Sequence, residues 1–268
     1  PDITSSLYNL RLLDDLAQKD TRIHRIHPLA QLLTTMVFIS VVISFGRYDI
    51  SSLLPLLLYP VLIFSLAEIP VLPLLKRLLV VSPLIIGIGV FNPFFDHQTI
   101  RIGEIVLSRG WLTFLSLCLK GGLTVTATLL LIATSGIENL AAALRQLKVP
   151  KVFALQLLLT YRYISVLTEE MARMLRAYAL RAPGQRGIRW HTWGSFAGQL
   201  LLRTYDRAQW VYEAMSLRGF DGEYHTGNSR KLAARDWLYM VLWVTFFIVV
   251  KVYPVPTLIG LWLMEVIR

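Results

Sequence analysis

Apolar residues fall into five long runs along this chain, and between the fourth and the fifth the pattern changes character. The runs extend from Leu29 to Phe45, Ile50 to Ala67, Leu78 to Phe95, Trp111 to Thr134 and Trp237 to Tyr253. Each approaches the ~20 mostly apolar residues that a helix needs to cross the hydrocarbon core of a bilayer, so each predicts a transmembrane helix. After the fifth, Pro254 and Pro256 oppose a continuous helix, and the tail TLIGLWLMEVIR reads as a short interfacial segment. The division this predicts is an N-terminal segment with four spans over residues 1–134, an inserted region over 135–236, and a last span with its tail over 237–268.

Inside the insertion the apolar positions recur at helical spacing. GIENLAAALRQLKVP predicts a short amphipathic helix with Leu140, Leu144 and Leu147 on one face, ended by Val149-Pro150. KVFALQLLLTYRYISVLTEEMARMLRAYALRA has no internal Pro or Gly and predicts a helix ~45 Å long. Its first half is almost wholly apolar and its second half carries Glu169, Glu170, Arg173, Arg176 and Arg181, as in a helix that starts buried and emerges into water. PGQRGIRWHTWG breaks the pattern, and a second long helix runs from near Ser195 to Arg218 with Leu201, Tyr205, Ala208, Tyr212 and Met215 on one face. Gly219 stands where a left-handed cap residue belongs.

Both long helices thus end in an arginine followed shortly by glycine, Arg181 with Gly184 and Arg218 with Gly219, in the similar stretches AYALRAPG and EAMSLRGF. Singly, each is an ordinary helix end, since a cation suits the C-terminal pole of the dipole and glycine suits the cap. The pair is more specific. Alanine precedes each arginine, Ala177 and Ala179 in the first stretch and Ala214 in the second, leaving a thin flank that another protein can approach closely.

Composition and charge fit a membrane protein. The chain is 55% hydrophobic and 16% charged, against about 25% charged in soluble domains. Its net charge of +10 would suggest nucleic acid in a soluble protein. In a membrane protein it fits basic cytoplasmic loops beside anionic headgroups. Arg11, Lys19, Arg22 and Arg25 precede the first run, Lys76 and Arg77 separate the second from the third, and fifteen Lys/Arg lie between Ser135 and Asp236. A cytoplasmic N-terminus therefore puts 21 of the 27 basic residues inside. The opening stretch PDITSSLYNLRLLDDLAQKD lacks the apolar core of a cleavable signal sequence, and the single cysteine, Cys118, precludes an intrachain disulfide or a thiolate cluster.

Catalytic constellations are sparse. A P-loop needs Gly-Lys-Ser/Thr, and no lysine here follows a glycine. Gly87-Ile88-Gly89 lies within a candidate span, where small residues serve helix packing. His24 and His27, with Asp20 four residues before His24, have a spacing that a borderline metal accepts, but no further ligand is close in sequence, and His97 beside Asp96 is no better supplied. The expectation is a chain with no metal site and no cofactor. A membrane transferase would display spaced aspartates to hold Mg²⁺, whereas Asp14-Asp15 and Glu169-Glu170 are adjacent, and helical neighbours point about 100° apart. A self-sufficient secondary transporter would place a charge or broken helix at mid-membrane, for which Lys120 with Gly121-Gly122 is the candidate. These two stand as alternatives, and turnover or ion flux by this chain alone would reveal them.

The long helices, their arginines and the spans resemble the transmembrane T component of energy-coupling factor (ECF) transporters, and within it the cobalt-type CbiQ family. AMSLRGF is similar to the second of that family's two Ala-Arg-Gly motifs, with Leu217 where alanine is frequent. AYALRAPG matches the first loosely, because Ala182-Pro183 separates Arg181 from Gly184. RIHRIHPLAQLL before the first span and a span after the second motif add to a likeness that covers nearly the whole chain and is strongest over residues 138–220. The resemblance implies an all-α membrane protein of about five transmembrane helices plus long cytoplasmic coupling helices, in a bacterial inner membrane. It further implies two cytoplasmic ABC-type ATPases that clasp those helices, with Arg181 and Arg218 seated in their grooves, and Ala179, Ala214, Gly184 and Gly219 allowing close approach and ending the helices. A separate substrate-binding S component, membrane lipid and Co²⁺ as cargo complete the implied assembly, which holds no nucleic acid.

Overall fold

A computed structural model describes residues 16–17, 19–47, 49–91, 93, 99–102, 105–182, 189–222 and 232–253. The helices, in chain order, are α1 (Pro28–Ser44), α2 (Ile50–Leu53), α3 (Leu58–Ala67), α4 (Val71–Gly89), α5 (Arg109–Ser135), α6 (Ile137–Gln146), α7 (Lys151–Arg181), α8 (Trp193–Leu217) and α9 (Ala234–Val252). Between α4 and α5 lies a short antiparallel hairpin, β1 (Thr99–Ile102) and β2 (Ile105–Ser108), that the hydropathy pattern did not suggest. Its signal was present in TIRI and IVLS, two β-rich tetrads separated by only Gly103 and Glu104.

The five apolar runs correspond to helices, but length and composition suffice to cross a membrane in only three segments among the described residues: Ile50–Ala67, Val71–Gly89 and Arg109–Ser135. α1 is shorter, at 17 residues, and α9 carries Arg235, Asp236 and Lys251 within its 19. The third run is also displaced from its expected position. α3 stops at Glu68, which adopts φ 50°, and Pro70 caps the start of α4. Lys76 and Arg77, expected in a loop, therefore lie in the second turn of α4, where long stems let their charges reach the interface.

Prolines shape two spans. Pro55 has no N–H to give to Ser51, and the segment Ile50–Ala67 tightens into a 3-10 turn at Leu54–Leu57 before resuming as α3. Pro83 leaves the Leu79 carbonyl without its helical donor, and Ser82 Oγ donates to that oxygen at 2.8 Å. The polar group that proline frees is thereby satisfied, which the apolar solvent demands.

Two compact units divide the chain, one comprising Asp15–Gly136 with Arg230–Arg268 and the other Pro1–Asp14 with Ile137–Ser229. In the first, α9 and α5 both pack along α1, and α4 packs along α5. Phe38, Tyr59, Trp243 and Phe247 form its aromatic centre, with ring centroids 4.7 Å apart for Phe38–Tyr59 and 4.8 Å for Tyr59–Trp243. Two glycines bring α4 against α5: a Cβ on Gly89 would meet Phe114 at 2.8 Å and one on Gly121 would meet Ile85 at 2.9 Å. Gly87 and Gly122 face no such neighbour. Lys120, the candidate mid-membrane charge, donates to the carbonyls of Phe45 (2.7 Å) and Gly46 (3.1 Å) at the C-terminal end of α1, and Lys251 reaches Ser44 Oγ there. Both ammonium groups thus complement the negative pole of that helix.

The second unit contains α6, α7 and α8, with α6 packed on α7. Ala141 and Ala143 are the buried positions of α6, while Leu147, expected on its apolar face, lies beyond the helix and is exposed. The helix stops because Lys148 turns left-handed at φ 63°, with Lys148 N–H on Arg145 O and Val149 N–H on Leu144 O. That is a Schellman cap in which lysine occupies the position glycine normally fills.

Candidate functional site

α7 and α8 are the two longest helices of the inserted unit, 31 and 25 residues, and they have almost no core of their own. Among their described residues only Ala154 and Ala172 on α7 and Phe196 on α8 are buried. The apolar face expected on α8 is not packed: Leu201, Tyr205 and Tyr212 are exposed, because α7 runs against it only over a short crossing. Glu170 ties that crossing, accepting from Arg173 on its own helix at 2.5 Å and from Arg203 on α8 at 2.5 Å. The hydrogen bonds from Arg173 and then Arg203 hold its carboxyl below the usual carboxylate range.

Two clefts open at the crossing, and Leu167, Thr204, Arg207 and Val211 line both. One, of about 580 Å³, carries the charges of Glu170, Arg203 and Asp206 and reaches Ala214. The other, of about 510 Å³, is apolar and ends at Met215 and Phe220.

The two helix tips end by different devices. At the end of α8, Gly219 takes φ 79°, its N–H bonds Ser216 O, and the Phe220 N–H bonds Met215 O, both at 3.0 Å. This is a complete Schellman cap with its apolar closure of Phe220 near Met215. Arg218 is the cap residue itself. α7 ends without glycine. Its cap, Ala182, moves to φ −127°, ψ 65°, as expected for a residue preceding proline, which is excluded from the helical region. Gly184, named in the first motif, lies outside the described residues, as do Asp14, Asp15, Asp96, His97 and the chain beyond Tyr253.

What the tips share is exposure. Arg181, Arg218, Ala179, Ala214 and Gly219 are all on the surface, and neither motif arginine has a side-chain hydrogen bond or ion pair among the described residues. The sequence pattern missed the leucines directly before them. Leu180 is 84% exposed and Leu217 is 89% exposed. The signal was legible in RAYALR and EAMSLR: in both, the residues four and three before the leucine are a charge and an alanine, so the leucine falls on the outward face.

The histidine pair is otherwise engaged. His24 donates from Nε2 to Leu16 O at 3.0 Å and accepts from Thr21 Oγ1 at 2.6 Å, and burial lowers its pKa, favouring the neutral ring. His27 Nδ1 accepts the Leu29 N–H at the start of α1, and Asp20 holds Arg25 at 2.8 Å. The site as a whole offers surfaces for binding.

A family model described as "CbiQ: Cobalt transport protein" matches residues 19–228, which include both tips. The chain is 27% identical over 164 residues to the nickel permease LarQ of Lactiplantibacillus plantarum, covering 57% of this chain and 60% of that protein. It is 26% identical over 187 residues to an uncharacterized protein of Methanocaldococcus jannaschii, covering 66% and 64%. The chain thus spans less than two thirds of the length of these two relatives. It is also 25% identical over 226 residues to the energy-coupling factor transporter transmembrane protein EcfT of Bacillus subtilis, covering 78% and 84%.

Proposed function

The chain belongs to the CbiQ family of cobalt transport proteins, and from that premise we propose that it is the membrane-embedded coupling subunit of an ATP-driven importer of the energy-coupling factor type. In this role it catalyses nothing. α7 and α8 are coupling helices whose tips dock on a pair of cytoplasmic ABC-type ATPases, and a separate S component binds the cargo. The observation that carries this reading is the pair of long helices with hardly any core, each ending in an exposed Leu-Arg step. A helix without a packed face derives its stability from a partner. An arginine that desolvates on docking, with its planar fork of donors, is a common interface anchor.

In this proposal Arg181 and Arg218 seat in the ATPase grooves, Ala179 and Ala214 let those walls approach, and Gly219 ends the second tip, while Gly184 follows the first in sequence. α1 and α9 lie in the bilayer alongside the other three spans, giving five in all with the N-terminus cytoplasmic. Exposed Met36 and Ile43 on α1, and Leu238, Val241, Leu242 and Ile248 on α9, support a lipid-facing position. Residues 1–134 then hold four spans, 135–236 the cytoplasmic coupling region and 237–268 the last span. The family description favours Co²⁺ as cargo, with Ni²⁺ next because a relative is a nickel permease. ATP-driven closure of the ATPases moves the tips, and the bundle passes that motion to the S component.

The test is the double substitution Arg181→Ala with Arg218→Ala. Co-purification of the ATPases is expected to fall about 100-fold, as for loss of two anchors, while membrane insertion is unchanged. Normal assembly together with normal ATP-dependent uptake in this variant would refute the proposal.

A further inference from the structure

The inserted segment Ile137–Ser229 is joined to the bundle unit by two stretches of chain, one leaving at Gly136 and one returning at Arg230. Each is fastened, on the bundle side, to the first turn of α1. At the departing stretch, Gln31 Oε1 accepts from Thr134 Oγ1 at 2.9 Å and from Ser135 Oγ at 2.5 Å. The Gln31 amide nitrogen donates to Ile23 O at 2.7 Å, so both ends of that side chain are used. The next residue, Gly136, turns left-handed at φ 72° against Ala17, where a Cβ would lie 3.2 Å from the alanine methyl.

At the returning stretch, the Asp236 carboxylate accepts the Ala233 N–H at 2.8 Å and the His27 N–H at 2.9 Å. It therefore joins the start of α9 to the start of α1, in the positive field of both helix N-termini. Arg235 adds a bond from its guanidinium to Arg25 O at 2.7 Å. His27, Gln31, Thr134, Ser135 and Asp236 are all buried. His27 and Gln31 are four residues apart and stand one above the other on α1. A single helical turn thus holds both strands of the insertion.

We infer that this polar layer is the mount through which movement of the inserted unit reaches the bundle, with Gln31 and Asp236 as its positioning residues. A stretch of chain that ends in a slack loop absorbs displacement. One whose last residue is held by a satisfied, buried hydrogen-bond network transmits it, because the network has few alternative arrangements. Both stretches bear on α1, which packs along α5 and α9, so a displacement at either shifts the bundle as a body. This rests on the coupling-subunit reading.

The experiment is amide hydrogen exchange on the whole complex, purified with its ATPases, with and without ATP under conditions that block hydrolysis. In the parent, ATP is expected to change exchange in α7 and α8 and also in α1 and α9. Gln31→Leu and Asp236→Asn should keep the response of α7 and α8 while losing at least three quarters of the response in α1 and α9, with assembly and ATP hydrolysis within twofold of the parent. Ser135→Ala removes one hydroxyl from a network that still holds Thr134, and should lose about half of the bundle response. Ser135→Thr, which keeps the hydroxyl, should behave as the parent. A bundle response in Gln31→Leu and Ser135→Ala equal to the parent's, or no bundle response in the parent, overturns the inference. So does a joint loss in both helix pairs, which would mark a merely structural role. Should Gln31→Leu fail to accumulate, Ser135→Ala against Ser135→Thr decides alone. A parent in which ATP leaves α7 and α8 unchanged would instead sink the coupling-subunit reading.

Discussion

The bundle and the insertion solve the same problem in opposite ways. In the bundle, Phe38, Leu53, Leu56 and Phe247 are completely covered by neighbouring helices, and the rings of Tyr59, Trp243 and Phe247 interlock with them. In the insertion, two long helices bury three residues between them and expose Leu180, Leu201, Trp210 and Leu217. The bundle has a buried aromatic centre of its own, whereas the described helices of the insertion have almost no buried side chains. Apolar surface left open at the ends of rigid helices, beside unpaired arginines, is material for an interface.

That contrast can be broken most forcefully from the bundle side. Phe247→Ala should destabilise the bundle by about 3 kcal/mol, the lower end of the range for a buried phenylalanine, since lost packing remains a cost even when lipid replaces water as solvent. Unfolding in detergent would measure it, and a loss below about 1 kcal/mol would mean that the aromatic centre is not what holds the bundle. On the insertion side, Leu217→Ala should leave folding unaltered and weaken ATPase binding about tenfold, as for an anchor of moderate strength. A change in unfolding midpoint without a change in affinity would show that the leucine serves the helix and not the partner.

Smaller effects sharpen the comparison. Lys148→Gly should stabilise the α6–α7 joint by about 1 kcal/mol, because a side chain in the left-handed region is strained and glycine is not; thermal unfolding of the insertion would report it. The smallest effect concerns Glu170. Its folded pKa lies below the ordinary value, so its tie to Arg203 is fully present above about pH 4.3, the unfolded value, and is lost as pH falls through the folded one. Spin labels on α7 and α8 should keep one separation from pH 8 to 5 and broaden in more acid solution, and Glu170→Gln should reproduce the broadening at pH 7. Because the pair is exposed, added salt should shrink the difference.

The helices were legible because apolar runs and helical periodicity are local. Their ends were less so. Hydropathy placed the third span at Leu78 because Lys76 and Arg77 lower the local average, but the helix begins where Pro70 and the left-handed Glu68 allow it, at Val71. Gly219 was recognisable as a cap because its hydrogen bonds span only six residues. The tie between His27 and Asp236 joins positions 209 apart, and that between Gln31 and Ser135 joins positions 104 apart. No local pattern marks such a pairing, and a buried glutamine in an apolar helix is the one hint the chain gives. For α8, periodicity correctly drew a stripe through Leu201, Tyr205 and Tyr212 but could not say whether anything covers it, and within this chain nothing described does.

The crossing at Glu170 and Arg203 fixes a distance and an angle for each tip. Arg181 lies about 16 Å beyond Glu170 and Arg218 about 22 Å beyond Arg203, close to three and four helical turns. Arg181 therefore leaves about 20° round from the azimuth of Glu170, and Arg218 about 60° round from that of Arg203. One residue inserted between crossing and tip would swing that arginine by about 100°, whereas seven would bring it back almost into line. An arm lengthened or shortened by two whole turns therefore keeps the direction of its tip, whereas a change of one amino acid does not.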